Sequence, residues 1–375
     1  MAKFLEAVLI LSGMIIGVGM FGIPFSFARA GFWLGVVELA ILAGVITLFH
    51  LLYGKIVLAT QGAHRLPGYV RFYLGSRAGI ISWASALFGI SLTLLAYVLV
   101  GSFFLDNIFK VFWSGSNQIF WMGAVVMVGA AINLFSLKKE ALVNGILTGV
   151  LIFFILGLIF FLLPQTATPN FTGFNPANLF IPYGVLLFAL SGGVVIPEVI
   201  EVLGRNVKKA QSAIIIGTLL PALLYLFFAL AVVGVSGAET SEDAISGLLA
   251  AGKNLIFWGS AIGFLAVFTS FVVLNSNFQS LLTLDLKISS KVSWFIVSLL
   301  PVALYFAGFK SFVAVIAAVG ALAVGIDSAL IVAAHFVLRR REGWLPRPAS
   351  YLWRFLLYGM IAAGVVYELF NILWL

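Results

Sequence analysis

Long apolar runs, bounded by charged or polar residues, follow one another along the whole chain. They are about 20 residues long, which is the length an α-helix needs to cross a hydrocarbon layer of about 30 Å. Charged residues, glycines and prolines mark the ends of these runs, and the runs predict an all-α membrane protein with eleven transmembrane helices. We place these helices near residues 4–29, 32–56, 79–105, 118–136, 140–164, 178–203, 211–235, 254–283, 292–308, 312–338 and 351–373.

Two of the predicted helices carry matching interruptions. The first reads GVGMFGIP over residues 17–24, and the sixth reads LSGGVVIP over residues 190–197. Aligning the two Ile-Pro pairs separates the halves by 173 residues, or five helices, so the second copy enters the membrane in the opposite orientation. This predicts a 5+5 inverted repeat with broken spans 1 and 6. Its parts are residues 1–165, residues 177–340, and an extra eleventh span over residues 350–375.

The composition excludes a soluble domain. Hydrophobic residues make up 63% of the chain and charged residues 9%, whereas an average soluble domain has about 45–50% apolar and about 25% charged residues. The absence of cysteine excludes a disulfide framework, a thiolate metal site and a cysteine nucleophile. The first apolar run lacks a small-residue cleavage site, so we expect it to be retained as a span.

The net charge of +8 reflects membrane orientation rather than a nucleic-acid partner, because the basic residues are scattered between apolar runs. If the N-terminus is cytoplasmic, all of the 21 Lys and Arg residues lie on the inside except Arg29, Lys110, Lys253 and Lys310. This bias follows the positive-inside rule. It predicts a multi-pass cell-membrane protein with its N-terminus in the cytoplasm and its C-terminus outside.

The two interruptions carry the functional expectation. Residues 17–22 match GxGxxG, but that fingerprint indicates a dinucleotide site only within a βαβ unit. In a membrane helix the glycines permit a break, or else a close packing surface. The two ends of a broken helix expose backbone N–H and C=O groups, and their helix dipoles have opposite sign. In a membrane such groups must line a wet cavity or hold a ligand such as an amino-acid zwitterion. We therefore predict a secondary active transporter that works by alternating access.

The alternatives are a membrane channel and a membrane-embedded enzyme or sensor without transport. A channel needs rings of carbonyls or charges, and no such segment is visible in the sequence. His50 and His335 stand alone on apolar helices and are not spaced with carboxylates as metal ligands, which gives an enzyme little support. Tyr97 and Phe188, on the spans near the breaks, are uncharged. This predicts a neutral substrate, aromatic or large.

Two features bear on energy coupling. Asp327 lies fifteen residues into the predicted tenth helix, where an acidic group is a proton carrier, a gate partner, or one half of a pair inside the bundle. Thr269 and Ser270 offer adjacent hydroxyls in the eighth helix for a cation, or for carbonyls of their own helix. No cofactor is expected apart from a sodium ion.

The segment GMIIGVGMFGIP, residues 13–24, resembles the first-span signature of the hydroxy and aromatic amino acid permease family, within the amino acid/auxin permease group. Residues 268–271, FTSF, resemble that family's span 8 segment. Residues 188–193 and 266–270 are similar to the span 6 break and the span 8 cation motif of sodium-coupled transporters. The resemblance implies the leucine-transporter fold of the amino acid-polyamine-organocation superfamily, and symport. The permease family favours protons.

The resemblance also implies site residues. Together with Met20 and Tyr97, the substrate-binding residues are Gly17, Val18, Gly19, Phe188, Ser191, Gly192 and Gly193. The implied sodium site takes oxygens from Gly13, Ile16, Ala266, Thr269 and Ser270. The sequence departs from some sodium-coupled relatives at the outer gate, because Arg29 lies further along span 1 than their arginine. Asp327 is the rival, proton-coupling candidate.

Overall fold

The computed structural model describes residues 2–62, 64–134, 140–248, 251–343 and 348–374, and these ranges contain α-helices and short 3₁₀ and π segments but no β-strand. The α-helices are α1 (Ala2–Ile15), α2 (Gly22–Ala30), α3 (Phe32–Ala59), α4 (Leu66–Leu74), α5 (Ser76–Lys110), α6 (Gln118–Asn133), α7 (Glu140–Leu162), α8 (Ile181–Ala189), α9 (Ile196–Val202), α10 (Val207–Ser236), α11 (Lys253–Ser280), α12 (Ser290–Phe306), α13 (Phe312–Ala318), α14 (Gly325–Arg341) and α15 (Pro348–Trp374).

The longer helices fall where the apolar runs predicted them, but the short helix α4, between the second and third predicted spans, was not predicted. Among the described residues, eight helical segments are long and apolar enough to cross a membrane, or up to nine if α1 and α2 form one span. The shorter apolar helices α6 and α12, of 16 and 17 residues, occupy the fourth and ninth predicted places. The all-helical, multi-spanning fold is confirmed, and the count of eleven crossings stays a prediction. Residues 135–136, Lys138, Lys139 and Arg347 lie outside the described residues.

The first interruption is a real break. α1 ends at Ile15, a 3₁₀ turn occupies Val18–Phe21, and α2 leaves at an angle of 54°. Pro24 helps to keep α1 and α2 from forming one continuous helix, because proline has no N–H to donate to the preceding turn. The prediction of a broken first helix is confirmed.

The second interruption is also non-helical, with less bending. α8 ends at Ala189, and a 3₁₀ turn over Gly193–Val195 precedes α9. Pro197 is the second residue of α9, where its missing N–H costs nothing within α9 but prevents a continuous helix with α8. The carbonyls at the end of α8 therefore need partners from elsewhere.

The broken spans pack crosswise. α1 packs against α9, and α2 packs against α8, so the part before one break contacts the part after the other. α10 runs alongside and contacts both α1 and α2. Two antiparallel broken helices would pack in this way, and the inverted repeat stays a prediction.

Glycines set the distance between α8 and the tenth predicted span. That span consists of α13, a π segment over Val319–Val324, and α14. A Cβ on Gly184 would lie 2.5 Å from the carbonyl oxygen of Ala317, and one on Gly320 would lie 2.8 Å from the backbone nitrogen of Phe188. The π segment thus touches α8 directly before its break.

Candidate functional site

The two breaks are in contact with each other. A Cβ on Gly19 would lie 2.8 Å from Cδ1 of Phe188 and 2.9 Å from Cα of Ala189. A Cβ on Gly192 would lie 2.7 Å from Cγ1 of Ile15, at the end of α1. Glycine is required at both positions for this close approach. The structure therefore brings together the two glycine segments that the sequence singled out.

Tyr225 of α10 joins the ends of the two half-helices. Its hydroxyl is 2.6 Å from the carbonyl oxygen of Ile15 and 3.2 Å from that of Ala189, which are the last residues of α1 and α8. The backbone of Gly17 also hydrogen-bonds to this hydroxyl. The side chain is fully buried. The single hydroxyl proton of Tyr225 is thus shared between two carbonyls that the breaks leave without helical partners, with the shorter bond to Ile15.

His50 of α3 holds the second break. Its Nε2 accepts a hydrogen bond from the backbone N–H of Gly192 at 3.3 Å, and its Nδ1 lies 3.0 Å from the hydroxyl of Thr218. That hydroxyl donates to the carbonyl of Ile214 at 2.9 Å, so it accepts from His50. The network assigns the proton to Nδ1 and keeps the imidazole neutral.

Sequence reasoning missed both Tyr225 and the role of His50. A hydroxyl in the middle of an apolar helix was the available signal for Tyr225, because such groups need partners in hydrocarbon. His50 was seen as a lone histidine on an apolar helix. Its partners, Gly192 and Thr218, are 142 and 168 residues away, so the sequence alone gave no indication of them.

Tyr97 connects the first break to α11. A Cβ on Gly17 would lie 3.9 Å from the Tyr97 hydroxyl, and that hydroxyl hydrogen-bonds with the side chain of Ser270. Val18 and Met20, in the 3₁₀ turn, are buried with relative exposures of 3% and 0%. Both side chains are therefore enclosed by the protein.

The other substrate candidates lie at the second break with some exposure. Phe188, Ser191 and Gly193 are all half-buried. Phe188 contacts Gly19. Gly193 lies beside the His50 ring, because a Cβ on this glycine would be 3.9 Å from Cδ2 of His50. Residues from both breaks thus lie close to one another, and three of those at the second break are partly exposed.

The residues implied for sodium are distributed between α1 and α11. The Thr269 hydroxyl lies 3.0 Å from the carbonyl oxygen of Leu265 and 3.1 Å from that of Ala266, so the bond to its own helix is present. Ser270 is joined to the first break through Tyr97. Ile16 is buried, and Gly13 is half-buried with open space where a Cβ would stand.

Asp327 lies away from the breaks. It is in the first turn of α14, where Ser85 of α5 hydrogen-bonds to it, and its Oδ1 is buried with no hydrogen-bond partner. Ser85 is twelve residues before Tyr97 on α5, which is about 18 Å along a helix. Any coupling between Asp327 and the breaks must therefore pass through the helices, and the π segment between Asp327 and Phe188 is one connection.

Comparison with known proteins agrees with this geometry. A family model described as the tryptophan/tyrosine permease family matches residues 1–345. The tyrosine-specific transport system 2 of Haemophilus influenzae is 26% identical over 290 residues, covering 73% of this chain and 70% of the relative. The low affinity tryptophan permease of Escherichia coli is 22% identical over 255 residues, covering 64% of this chain and 60% of the relative.

Solved structures share the fold. MhsT in complex with L-phenylalanine superimposes with a TM-score of 0.67 at 13% identity, covering 98% of both chains. Mhp1 in an inward-facing conformation gives a TM-score of 0.66 at 15% identity, covering 98% of this chain and 89% of that one. The implied leucine-transporter fold is confirmed by these neighbours. Because the family model covers most of its length, this chain belongs to the tryptophan/tyrosine permease family.

Proposed function

We propose that this permease is a secondary active transporter of neutral aromatic amino acids, driven by a cation gradient through alternating access. The observation that carries the proposal is the meeting of two broken helices whose ends are joined by Tyr225. Such a junction offers backbone groups to a zwitterion near the middle of the membrane without a charged side chain.

Chemistry at the breaks favours an aromatic substrate. Amide groups at the start of a half-helix suit a carboxylate, and carbonyls at the end of a half-helix suit an ammonium group. Phe188 and Tyr97 provide aromatic surface beside the glycines, and the neutral His50 adds no charge. Relatives named for tyrosine and tryptophan, and the L-phenylalanine complex of MhsT, fit the same choice.

For the transport cycle we propose eleven spans, a cytoplasmic N-terminus, and an inverted repeat that pairs spans 1–5 with spans 6–10. The α1–α9 pair and the α2–α8 pair lie on opposite sides of the breaks. Alternating access then consists of opening one pair while the other stays closed. Tyr225 hydrogen-bonds to the last residues of α1 and α8. It therefore stays fixed while one of the two helix pairs opens.

For coupling we favour a cation at Thr269 and Ser270, completed by oxygens of Gly13, Ile16 and Ala266. A site of about five or six oxygens without a carboxylate suits sodium. The link from Ser270 through Tyr97 to Gly17 supports this choice, because it joins the cation residues to the substrate break. The rival is a proton on Asp327, acting through the π segment that contacts Phe188.

The test is uptake by proteoliposomes of the full chain. Labelled tryptophan, tyrosine and phenylalanine are compared with leucine and serine, under an inward sodium gradient and separately under an inward proton gradient. We expect saturable accumulation of at least one aromatic amino acid above equilibrium with one of the gradients. Uptake that only equilibrates, or no binding of any aromatic amino acid to the folded protein, would refute the proposal.

A further inference from the structure

The π segment Val319–Val324 is held from two sides. On the side of α5, the buried Ser85 hydroxyl donates to the carbonyl oxygen of Ala323 at 3.1 Å. On the side of α8, a Cβ on Gly320 would lie 2.8 Å from the backbone nitrogen of Phe188, directly before the second break. Short π segments inside α-helices are frequent at functional sites. This one connects α5 with the broken sixth span.

Ser85 has one proton and two neighbouring acceptors. Its hydroxyl bonds to the carbonyl of Ala323, and it also hydrogen-bonds with the side chain of Asp327. While its proton is donated to Ala323, the Ser85 oxygen can only accept a hydrogen bond from Asp327. A carboxyl group donates only when it is protonated. Both hydrogen bonds of Ser85 therefore exist together when Asp327 is neutral.

Loss of the Asp327 proton changes this arrangement. The Oδ1 atom of Asp327 is buried and has no hydrogen-bond partner, so an ionised carboxylate here needs a donor. Hydrogen bonds to an ionised group are about twice as strong as those between neutral groups. The Ser85 proton therefore turns from the carbonyl of Ala323 to the carboxylate. The π segment then loses its side-chain bond to α5.

We propose that Asp327 and Ser85 form a proton-controlled latch that sets how fast the permease changes conformation. With a proton on Asp327, Ser85 holds the π segment against α5. When that proton leaves to cytoplasmic water, Ser85 turns to the carboxylate and the π segment is free to move with α8. The inference rests on the proposed transport function, and under sodium coupling it makes Asp327 a pH sensor rather than the carrier of the driving ion.

The surroundings of Asp327 leave its own proton in control. Tyr53 of α3 interacts electrostatically with Asp327. The positive charges of Lys55 and Arg339 act instead on His335, which lies eight residues further along α14, or about 12 Å. The other titratable side chains of this end, on the helices that pack against α14, are Tyr69, Arg71 and Tyr73 of α4, Arg77 of α5, and Arg354 and Tyr358 of α15.

The experiment is exchange of labelled tyrosine or tryptophan for the same unlabelled amino acid in proteoliposomes of the full chain. Sodium concentration and pH are equal on both sides, so no ion gradient drives exchange and its rate reports the conformational change. We measure it from about pH 5 to about pH 8, where proteins are usually most stable. The wild-type rate should rise with pH by about twofold to tenfold, the factor that one hydrogen bond contributes.

Two variants should remove this pH dependence in opposite directions. Asp327→Asn keeps a donor toward Ser85, so exchange should stay at the slow rate that the wild type shows at low pH. Ser85→Ala removes the bond to Ala323, so exchange should stay at the fast rate that the wild type shows at high pH. Ser85→Thr keeps a hydroxyl and should restore the wild-type profile. A general folding defect would slow exchange in both Asp327→Asn and Ser85→Ala.

The matched control is Ser91→Ala, on the same helix, whose hydroxyl bonds to the carbonyl of Leu87 at 2.6 Å. It should keep the wild-type profile, and loss of the pH dependence in this control would overturn the role of Ser85. A wild-type rate that does not change with pH, or a Ser85→Ala variant that keeps the wild-type profile, would overturn the latch. Absence of exchange of every aromatic amino acid by the wild type would overturn the proposed function and the latch with it. If one variant does not fold, the other decides, because each has its own expected direction.

Discussion

The hydroxyl of Tyr225 lies 2.6 Å from the carbonyl oxygen of Ile15, the residue at which the first half of a broken helix ends. The same hydroxyl reaches the last carbonyl of α8, at Ala189. One side chain on an unbroken helix thus connects two interruptions that are far apart in the sequence. The geometry of the breaks depends on α10 as well as on the broken helices.

Replacing Tyr225 with phenylalanine should therefore damage both stability and transport. The change removes the single donor that the buried carbonyls of Ile15 and Ala189 share, at a cost of about 1–3 kcal/mol in total. We expect a lower Tm and a reduced rate of aromatic amino acid uptake. Tyr183→Phe is the matched control, because its hydroxyl also bonds to a backbone carbonyl, away from the breaks. Equal uptake losses in both variants would contradict the special role of Tyr225.

His50 and Thr218 should act as one unit. Thr218→Val removes the acceptor that orients the imidazole, and His50→Leu removes the acceptor for the N–H of Gly192. In a double-mutant cycle on uptake and on unfolding, we expect a coupling of about 0.5–3 kcal/mol, as found for residues in one network. Thr283→Val is the control, because that hydroxyl also bonds to a carbonyl four residues earlier and lies elsewhere. If the effects of His50→Leu and Thr218→Val were additive, the hydrogen bonds from Thr218 through His50 to Gly192 would not act together to hold the second break.

Bulky side chains at the breaks should abolish substrate binding. Leucine at Gly19 would collide with Phe188 and Ala189, and leucine at Gly192 would collide with Leu11 and Ile15. We expect no substrate-dependent rise in Tm in either variant. Gly44→Leu, on α3, is the control, because a Cβ there meets nothing within 4 Å. If both break variants keep wild-type affinity, the substrate lies somewhere else.

The coupling ion can be identified with two substitutions. If sodium binds at Thr269 and Ser270, uptake should depend on a sodium gradient and be strongly reduced in Thr269→Ala, with Asp327→Asn retaining sodium dependence. If a proton on Asp327 drives transport, uptake should be indifferent to sodium and lost in Asp327→Asn. Initial rates of uptake under each gradient separate these cases. We expect the first result, and the second would transfer the coupling role to Asp327.

The contact between α8 and the π segment should tolerate no added methyl group. A Cβ on Gly320 would collide with the carbonyl of Gly184, and the backbone cannot yield as a side-chain end can. We expect Gly320→Ala to lower the Tm by several degrees, which corresponds to about 1–3 kcal/mol of overpacking. Gly359→Ala, in α15, should leave the Tm unchanged or raise it slightly, because a Cβ there meets nothing within 4 Å. Equal Tm values for the two variants would argue against the close approach.

The sequence by itself determined the membrane environment, the approximate places of the long apolar helices, and the two interruptions. These properties are local. The thickness of the bilayer fixes the length of each apolar run, and glycine and proline mark a break within a few residues of where it occurs. The family resemblance was also local, because residues 13–24 carry it.

Only the tertiary structure decided what satisfies the broken ends and which residues meet. Tyr225 and Ile15 are 210 residues apart, and His50 and Thr218 are 168 residues apart, so no window of sequence contains either pair. The fold shows that the Thr269 hydroxyl donates to carbonyls of its own helix, and this donation leaves the oxygen lone pairs available to the proposed cation. Hydrogen-bond partners across a bundle depend on how the helices pack, and packing is set by the whole chain rather than by any one span.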